Sequence, residues 1–171
     1  MAVQARAYGA QFLEAPEVLG SKLQAPGGTC WGAFAARPPW APGASRSTAR
    51  AVNACPKALG LCAYAIAHVV APNAPLVLNK VLTAAQAPPA PDSWLYVHDI
   101  AVDPTWAGAG LAARLLAEVL GAGRSLGLRR AMLVAVQGAD VYWARHGFAP
   151  QVPPMPVQGF GDGAVWMVRD L

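Results

Sequence analysis

The chain has 171 residues, is 55% hydrophobic and carries a formal net charge of +4. This length suits one domain that buries a core without disulfides, so we expect residues 1–171 to form a single domain. No stretch reaches the roughly 18 uninterrupted apolar residues of a membrane span, the first residues lack a secretory signal, and the basic residues are too dispersed for a nucleic-acid-binding patch.

These absences lead us to expect a cytoplasmic protein with neither a membrane nor a nucleic acid as partner. The three cysteines, Cys30, Cys55 and Cys62, are an odd number without CxxC spacing. This pattern argues against a disulfide framework and against a zinc site. We therefore expect reduced, mostly buried thiols and no metal.

The first half of the chain alternates short periodic segments with proline-rich loops. Glu14–Gln24 is predicted to be an amphipathic helix, because Val18, Leu19 and Leu23 lie on one side of it and a Pro-Gly-Gly sequence that ends helices follows. Thr29–Ala35 and Leu59–Val70 are predicted strands. The long loop between them contains Pro38, Pro39 and a basic segment, and such loops are often functional or disordered. The sequence leaves open whether this loop contacts the substrate or has no functional role.

After a second proline-rich loop, the other half has a stronger pattern. The predicted strands are Trp94–Val102, Ala131–Val136 and Ala164–Val168, and the predicted helices are Leu111–Gly123 and Asp140–His146. Strands that alternate with helices are typical of an α/β domain.

A glycine-rich turn separates the strand that ends at Val102 from the helix that begins at Leu111. Its residues Ala107-Gly108-Ala109-Gly110 let the backbone approach an anion, and the first free N–H groups of the helix supply donors. Gly108–Ala113 also fits the loose GxGxxG/A pattern of dinucleotide-binding enzymes. That alternative requires an acidic residue about 20 positions downstream, and none occurs between Glu118 and Asp140. A phosphate-binding turn of another kind is the better interpretation.

The same turn resembles motif A of the GNAT acyltransferase superfamily, Q/R-x-x-G-x-G/A. The strand before it carries Ile100-Ala101-Val102-Asp103-Pro104, and Tyr142–Phe148 resembles the family's later Y-x-x-x-G-F motif. The run from His98 to Val102, together with 134–138, is similar to an uncharacterised bacterial branch. The resemblance implies a mixed, twisted and splayed central sheet flanked by helices. Ala7–Leu23 resembles the second-helix region and leaves almost nothing before it, so the sheet can lack its first strand.

The resemblance also implies a cofactor, acetyl-CoA, and an amine acceptor, either a small molecule or a peptide, in a protein that is a monomer or a homodimer. It places the cofactor on the β-strand backbone and on the turn. The residues concerned are Ile100, Ala101, Val102, Ala107, Gly108, Ala109, Gly110, Leu111, Ala112 and Ala113. An oxyanion would be stabilised by a backbone N–H near Val102.

Catalytic candidates follow from the chemistry of acyl transfer to an amine. An alkyl ammonium with a pKa near ~10 must lose a proton before it reacts, and His98 or Asp99 can take that proton directly or through water. Successive strand residues point to opposite faces, so only one of the two can address the cleft unless a bulge intervenes. The family's frequent general acid, a tyrosine, is here Trp143, and Tyr142 is its neighbour and substitute.

Three positions depart from the family pattern. Ala107 replaces the usual Gln or Arg, Ala109 replaces a frequent basic residue, and Trp143 replaces the tyrosine. Arg114 or Arg145 can supply the missing positive charge. The departures also motivate an alternative function, that of an acyl-CoA-binding sensor or regulator with weak or no catalysis.

Overall fold

The computed structural model of this protein describes residues 2–25, 27–35, 49–51, 60–82 and 92–171. Within these ranges, seven strands form one sheet in the order β2-β1-β3-β4-β5-β7-β6. The strands are β1 Thr29–Ala35, β2 Ala49–Ala51, β3 Gly60–Val70, β4 Trp94–Val102, β5 Arg130–Ala135, β6 Ala149–Pro150 and β7 Val165–Asp170. All neighbouring strands are antiparallel except β4 and β5, which are parallel.

Helices cover both faces of this sheet. They are α1 Ala2–Ala7, α2 Pro16–Leu23, α3 Leu111–Ser125 and α4 Asp140–Arg145, with short 3-10 turns at Ala10–Phe12, Pro104–Trp106 and Gln158–Phe160. Leu115, Leu116 and Val119 of α3 are buried in the largest apolar cluster, which also contains alternate residues of β3. On the opposite face, Val3 of α1 and Leu19 of α2 belong to a smaller cluster. The mixed, flanked sheet expected from the sequence is therefore confirmed.

The predicted elements of the sequence are all present, with small shifts at their ends. Strands Thr29–Ala35 and Trp94–Val102 have the predicted bounds, and α3 continues two residues further than expected. The expectation that little precedes the second-helix region was incomplete, because α1 forms before it. In the described part of the chain no strand precedes α1, and β2 occupies the sheet edge beside β1.

Some sequence-based expectations fall outside the described ranges. These include Cys55 and most of the long loop after β1. Cys30 is half-buried and Cys62 is buried, and both are free thiols. Among the described residues no helix is long and apolar enough to cross a membrane.

The sheet opens between its two parallel strands. β4 and β5 are paired only at Leu95 with Ala131 and at Tyr96 with Met132. Beyond Tyr96 the strands diverge, although β4 continues to Val102 and β5 to Ala135. The predicted splay is thus present, and it leaves a gap lined by strand residues from both sides.

Candidate active site

The gap between β4 and β5 holds a cavity of about 270 Å³. Val97–Ile100 of β4 and Leu133 and Val134 of β5 line it. Residues of α1, of the segment before α2, of α3 and of α4 close the remaining sides. The cavity is therefore bounded by parts of the chain that lie more than a hundred residues apart.

The glycine turn lies between β4 and α3, beside this cavity. Gly108 and Gly110 have φ angles of +76° and +73°, which glycine adopts without strain. A Cβ atom added at either position would meet no atom within 4 Å, so the turn is open to an approaching ligand. α3 begins at Leu111 without a side-chain cap, and its first N–H groups have no intrahelical acceptor. Such donors at the positive end of a helix suit a phosphate group.

The predicted cofactor-binding residues lie in different environments. Ile100 and Ala112 line the cavity, whereas Ala101 and Leu111 are buried in the core. The side chain of Val102 packs partly buried against the largest cluster. The remaining predicted residues are exposed and lie in the turn or in the first turn of α3, namely Ala107, Gly108, Ala109, Gly110 and Ala113. Ala101, Leu111 and Val102 can therefore contribute backbone groups rather than side chains.

The backbone of β4 has one paired edge and one open edge near the cavity. Ile100, Ala101 and Val102 are in register with Ala65, Tyr64 and Ala63 of β3. On the other side no strand of the described chain pairs with these three residues, because β5 has already diverged. Ile100 O already accepts a hydrogen bond of 2.8 Å from the hydroxyl of Tyr8. An extended ligand can therefore hydrogen-bond to the other backbone groups of this edge as an added strand would.

A β-bulge decides how His98 and Asp99 are oriented. Ile66 of β3 is in register with Asp99, and Ala67 is in register with Val97, so His98 is an extra residue on β4. A bulge of this kind interrupts the alternation of side chains. Both His98 and Asp99 therefore line the cavity. The sequence allowed for this outcome only if a bulge intervened.

Asp99 accepts hydrogen bonds from three neutral donors. The hydroxyl of Tyr8 lies 2.7 Å from Oδ1, while the hydroxyl of Tyr64 and the amide Nε2 of Gln4, the latter at 3.2 Å, donate to Oδ2. A carboxylate offers about four acceptor positions, so one remains on Oδ1. Burial raises the pKa of the Asp99 carboxyl, and the hydrogen bonds from Tyr64 and Tyr8 oppose this shift. Asp99 is thus a partly desolvated carboxylate with room for one more hydrogen-bond donor.

A buried cluster of charged groups lies next to Asp99. The carboxylate of Glu14 binds Lys22 Nζ through Oε1, and its Oε2 lies 2.6 Å from His98 Nε2. Lys22 Nζ lies 2.8 Å from the same imidazole nitrogen. Burial raises the pKa of Glu14, but hydrogen bonds and charges from His98 and Lys22 outweigh it and lower this pKa to about 2. The imidazole of His98 is therefore held in place by contacts with the Glu14–Lys22 ion pair, and Glu14 stays ionised.

A second cavity, of about 180 Å³, lies on the far side of His98 and is also lined by His68, Tyr96 and Lys22. His68 is only 3% exposed, and its Nδ1 has no hydrogen-bond partner among the described residues. Burial lowers the pKa of His68 to about 3, and the charges of His98 and Lys22 act in the same direction. His68 is therefore neutral near neutral pH.

Tyr142 and Trp143 both line the main cavity. Burial raises the pKa of the Tyr142 hydroxyl, so this group keeps its proton at neutral pH. Its ring lies 4.6 Å from the ring of His146, and the ring of Trp143 packs against Phe148 at 5.8 Å. The packing leaves Tyr142 on the cavity side of α4 rather than behind it.

A basic groove lies along α3 and α4, outside the cavity. Arg124, Arg145 and Arg169 line it together with Ala113 at the start of α3. Arg145, one of the two arginines that the sequence offers for phosphate contact, thus shares a groove with Ala113 in the first turn of α3. Arg114 lies on the exposed surface of α3, where it has an interaction partner.

Sequence reasoning missed most of the polar groups around Asp99. Four of these groups come from the first 22 residues of the chain and lie 76–95 residues before the β4 residues that they contact, namely Gln4, Tyr8, Glu14 and Lys22. The available signal was weak, since a glutamate and a lysine on a predicted helix ordinarily face solvent. Their near-complete burial is visible only in the folded chain.

The model of the acetyltransferase (GNAT) family matches residues 53–148, more than half of the chain. Among solved structures, a GNAT family acetyltransferase from Elizabethkingia anophelis with acetyl-CoA bound shares 11% identity at a TM-score of 0.49, covering 92% of this chain and 84% of that one. The PaiA N-acetyltransferase from Thermoplasma acidophilum in complex with coenzyme A shares 12% identity at a TM-score of 0.45. The matched part is 73% of this chain and spans 59% of the Thermoplasma chain. No curated protein matches the chain at a significant level. The match over residues 53–148 shows that this chain belongs to the GNAT family of acetyltransferases.

Proposed function

We propose that the protein transfers an acetyl group from acetyl-CoA to a primary amine by direct attack in a ternary complex. One observation carries this proposal. A single cavity joins the amino-terminal end of α3, through Ala112, to Asp99 and Tyr142. A phosphate-binding feature, a base and a proton donor thus meet at the splay of the sheet.

The residues present fit the proposed cosubstrate. The open edge of Ile100–Val102 can bind the pantetheine chain, and the N–H groups from Gly108 to Ala113 can bind the pyrophosphate. Arg145 in the adjoining groove can supply the charge that Ala107 and Ala109 lack. Acetyl-CoA, when bound, supplies a thioester that reacts with an amine nitrogen.

Asp99 is the proposed general base. Its Oδ1 has one free acceptor position, and its pKa is raised toward that of an amine by burial. Asp99 takes one proton from the ammonium as nitrogen bonds to the acetyl carbon. The nitrogen then releases a second proton, which returns through solvent to Tyr142 after that residue has protonated the sulfur. His98 is the weaker candidate, because its Nε2 is already occupied by Glu14 and Lys22. We assign His98 a positioning role beside Asp99.

Tyr142 is the proposed general acid. As the carbon–sulfur bond breaks, the hydroxyl of Tyr142 donates a proton to the departing sulfur, and a backbone N–H near Val102 stabilises the oxyanion. Trp143 cannot take this role, because an indole N–H is a donor that does not ionise usefully. Trp143 instead forms a wall of the acceptor pocket.

The alternative function is a sensor that binds acyl-CoA without turnover. It rests on the same three departures, Ala107, Ala109 and Trp143. The presence of Asp99 and Tyr142 in one cavity favours the enzyme. Tight binding of acetyl-CoA without acetylation of any amine would favour the sensor.

Calorimetric titration with acetyl-CoA tests the proposal. We expect saturable binding by the wild-type protein, and loss of binding in Gly110→Glu because a carboxylate would stand against the pyrophosphate. Gly127→Glu is a matched control. Gly127 also has a positive φ, +75°, and open space where a Cβ would lie, but it is at the other end of α3.

Equal loss of binding in both variants would assign the effect to backbone strain. Normal binding by Gly110→Glu would show that the turn is not the phosphate site. Absence of binding at millimolar acetyl-CoA by the wild-type protein would contradict the proposed function itself.

A further inference from the structure

The charges around the main cavity are one-sided. Asp99 and Glu14 line it, and among the described residues no lysine or arginine does. The charge of Glu14 is compensated, because Lys22 and His98 both contact its carboxylate. Asp99, in contrast, accepts its hydrogen bonds within the described ranges only from hydroxyl and amide groups. The cavity therefore contains one half-buried carboxylate, that of Asp99, whose hydrogen-bond donors there are all neutral. The charge of His98 acts on it only through space.

This charge distribution discriminates between acceptors. An ammonium group can use the free position on Oδ1 of Asp99 and compensate the carboxylate. A carboxylate on the acceptor would be removed from water without a cationic partner and would lie near a like charge, which is costly. Amino acids, which carry a carboxylate next to the amine, are therefore disfavoured relative to plain amines.

The apolar walls indicate what the rest of the acceptor is like. Rings of Tyr8, Phe12, Trp143 and Phe160 line the cavity, and aromatic faces bind both hydrocarbon and alkylammonium groups. The volume of about 270 Å³ is near the lower end for small-molecule sites, and the acetyl end of the cosubstrate occupies part of it. A compact acceptor fits these walls better than a folded protein surface does.

We propose that the acceptor is a small alkyl or arylalkyl primary amine that carries no carboxylate. Its ammonium binds Oδ1 of Asp99, and its carbon skeleton packs against the aromatic walls. This inference rests on the proposed acetyl transfer and adds the class of substrate to it.

A series of three related acceptors tests this inference on the wild-type protein. Phenethylamine, phenylalanine and phenylalaninamide share a ring and a primary amine, and they differ at one carbon. We expect kcat/KM with acetyl-CoA to be at least ~100-fold higher for phenethylamine than for phenylalanine, in line with a loss of ~3 kcal/mol or more for an unpaired buried charge. Phenylalaninamide is the control for the size of the added group, and its kcat/KM should be closer to that of phenethylamine than to that of phenylalanine. Pentylamine and norleucine repeat the comparison without a ring.

Binding of phenethylamine to the CoA-loaded protein supplies a readout that needs no turnover. Calorimetry should show saturable binding that is weakened at least ~10-fold in Asp99→Asn, a neutral variant of the same shape. Thermal denaturation checks that this variant folds, and if it does not, the three-acceptor series on the wild-type protein still decides.

Equal or better use of phenylalanine would overturn the inference and leave acetyl transfer intact. Undiminished phenethylamine binding by a folded Asp99→Asn variant would also overturn it, as would failure of the CoA-loaded protein to bind any amine of the series. Failure to bind acetyl-CoA, in contrast, is a failure of the proposed function and is detected separately by the titration described above.

Discussion

At the scale of single residues, the site depends on where one strand bulges. His98 is inserted between positions that pair with β3, and this insertion brings Asp99 onto the face where Tyr8, Tyr64 and Gln4 reach it. Without the bulge the two side chains would point to opposite faces. The local irregularity of β4 thus brings both the proposed base, Asp99, and the neighbouring His98 to the cavity.

Tyr142 allows a prediction at this scale. If its hydroxyl donates the proton to sulfur, Tyr142→Phe should lower kcat by ~10²-fold or more and leave acetyl-CoA affinity nearly unchanged. Steady-state kinetics together with calorimetry would measure both quantities. Trp143→Phe is the control, because it alters the same wall of the cavity without removing a hydroxyl. Nearly intact turnover by Tyr142→Phe would mean that solvent protonates the sulfur.

At the scale of secondary structure, α3 links the core to the glycine turn. Its buried face packs on β4 so closely that a Cβ at Gly123 would lie 2.8 Å from Cδ2 of Leu95 and 3.1 Å from Cδ1 of Leu171. Gly121, two residues earlier in the same helix, has no atom within 4 Å of such a Cβ. The close approach at Gly123 therefore helps to fix the distance of α3 from the strand that carries Asp99.

The two glycines give a matched prediction. Gly121→Ala should stabilise the protein by ~0.5–1 kcal/mol, because alanine favours the helix. Gly123→Ala should instead destabilise it by ~1–3 kcal/mol, because the added methyl group displaces the fully buried Leu95. Urea denaturation, with unchanged m values, would measure both effects. A stabilising Gly123→Ala would show that α3 can move away from β4 at little cost.

At the scale of the whole molecule, polar contacts join the first 22 residues to the sheet and to the segment after β3. Arg6 of α1 binds the carboxylate of Asp103 after β4, and Lys22 of α2 lies 2.8 Å from His98 on β4. Asn79 N donates to Glu14 at 2.8 Å, and Asn79 Oδ1 accepts from Ala15 N at 3.1 Å. The Lys22–Glu14 pair is buried on both sides. Breaking a buried ion pair by removing one partner costs about 3–5 kcal/mol, so this pair couples the stability of the fold to the geometry of the site.

His68 makes this stability depend on pH. Its pKa is about 3 in the folded protein and about 6.5 when unfolded, so between these values the unfolded state binds more protons. Stability should therefore fall as the pH falls below about 6.5, by up to ~1.4 kcal/mol per unit from this residue. His68→Phe should flatten that slope between about pH 6.5 and 5, measured by urea denaturation at several pH values.

The other titratable groups near His68 are present in both the wild-type protein and His68→Phe, so they do not account for a difference in slope between the two. They are His98, Lys22, Glu14 and Tyr96. Glu14, with its pKa lowered to about 2 from 4.5, destabilises the fold only below this pH range. The raised pKa of Asp99 makes the stability rise as the pH falls, and it does so equally in the wild-type protein and in His68→Phe. An unchanged slope in His68→Phe would mean that His68 becomes protonated without unfolding.

The sequence by itself determined the order of the main elements and the position of the glycine turn. Local patterns carry this information, since the leucine stripe of α3, the alternating strand residues and Gly108 and Gly110 each act over a few neighbouring positions. The turn, the splay beside Val102 and the candidate base and acid could all be placed from motifs. Short elements without a periodic pattern, such as β2 and β6, could not.

Only the tertiary structure decided what surrounds Asp99. Long-range contacts bring Tyr8 and Gln4 of the first residues onto β4, and they bury Lys22 and Glu14, which helical periodicity alone would place in solvent. The bulge at His98 likewise depends on how β3 and β4 are paired across a long connection. The charge balance of the cavity, and with it the proposed class of acceptor, is set by these contacts because electrostatics depends on distances in space rather than on distance along the chain.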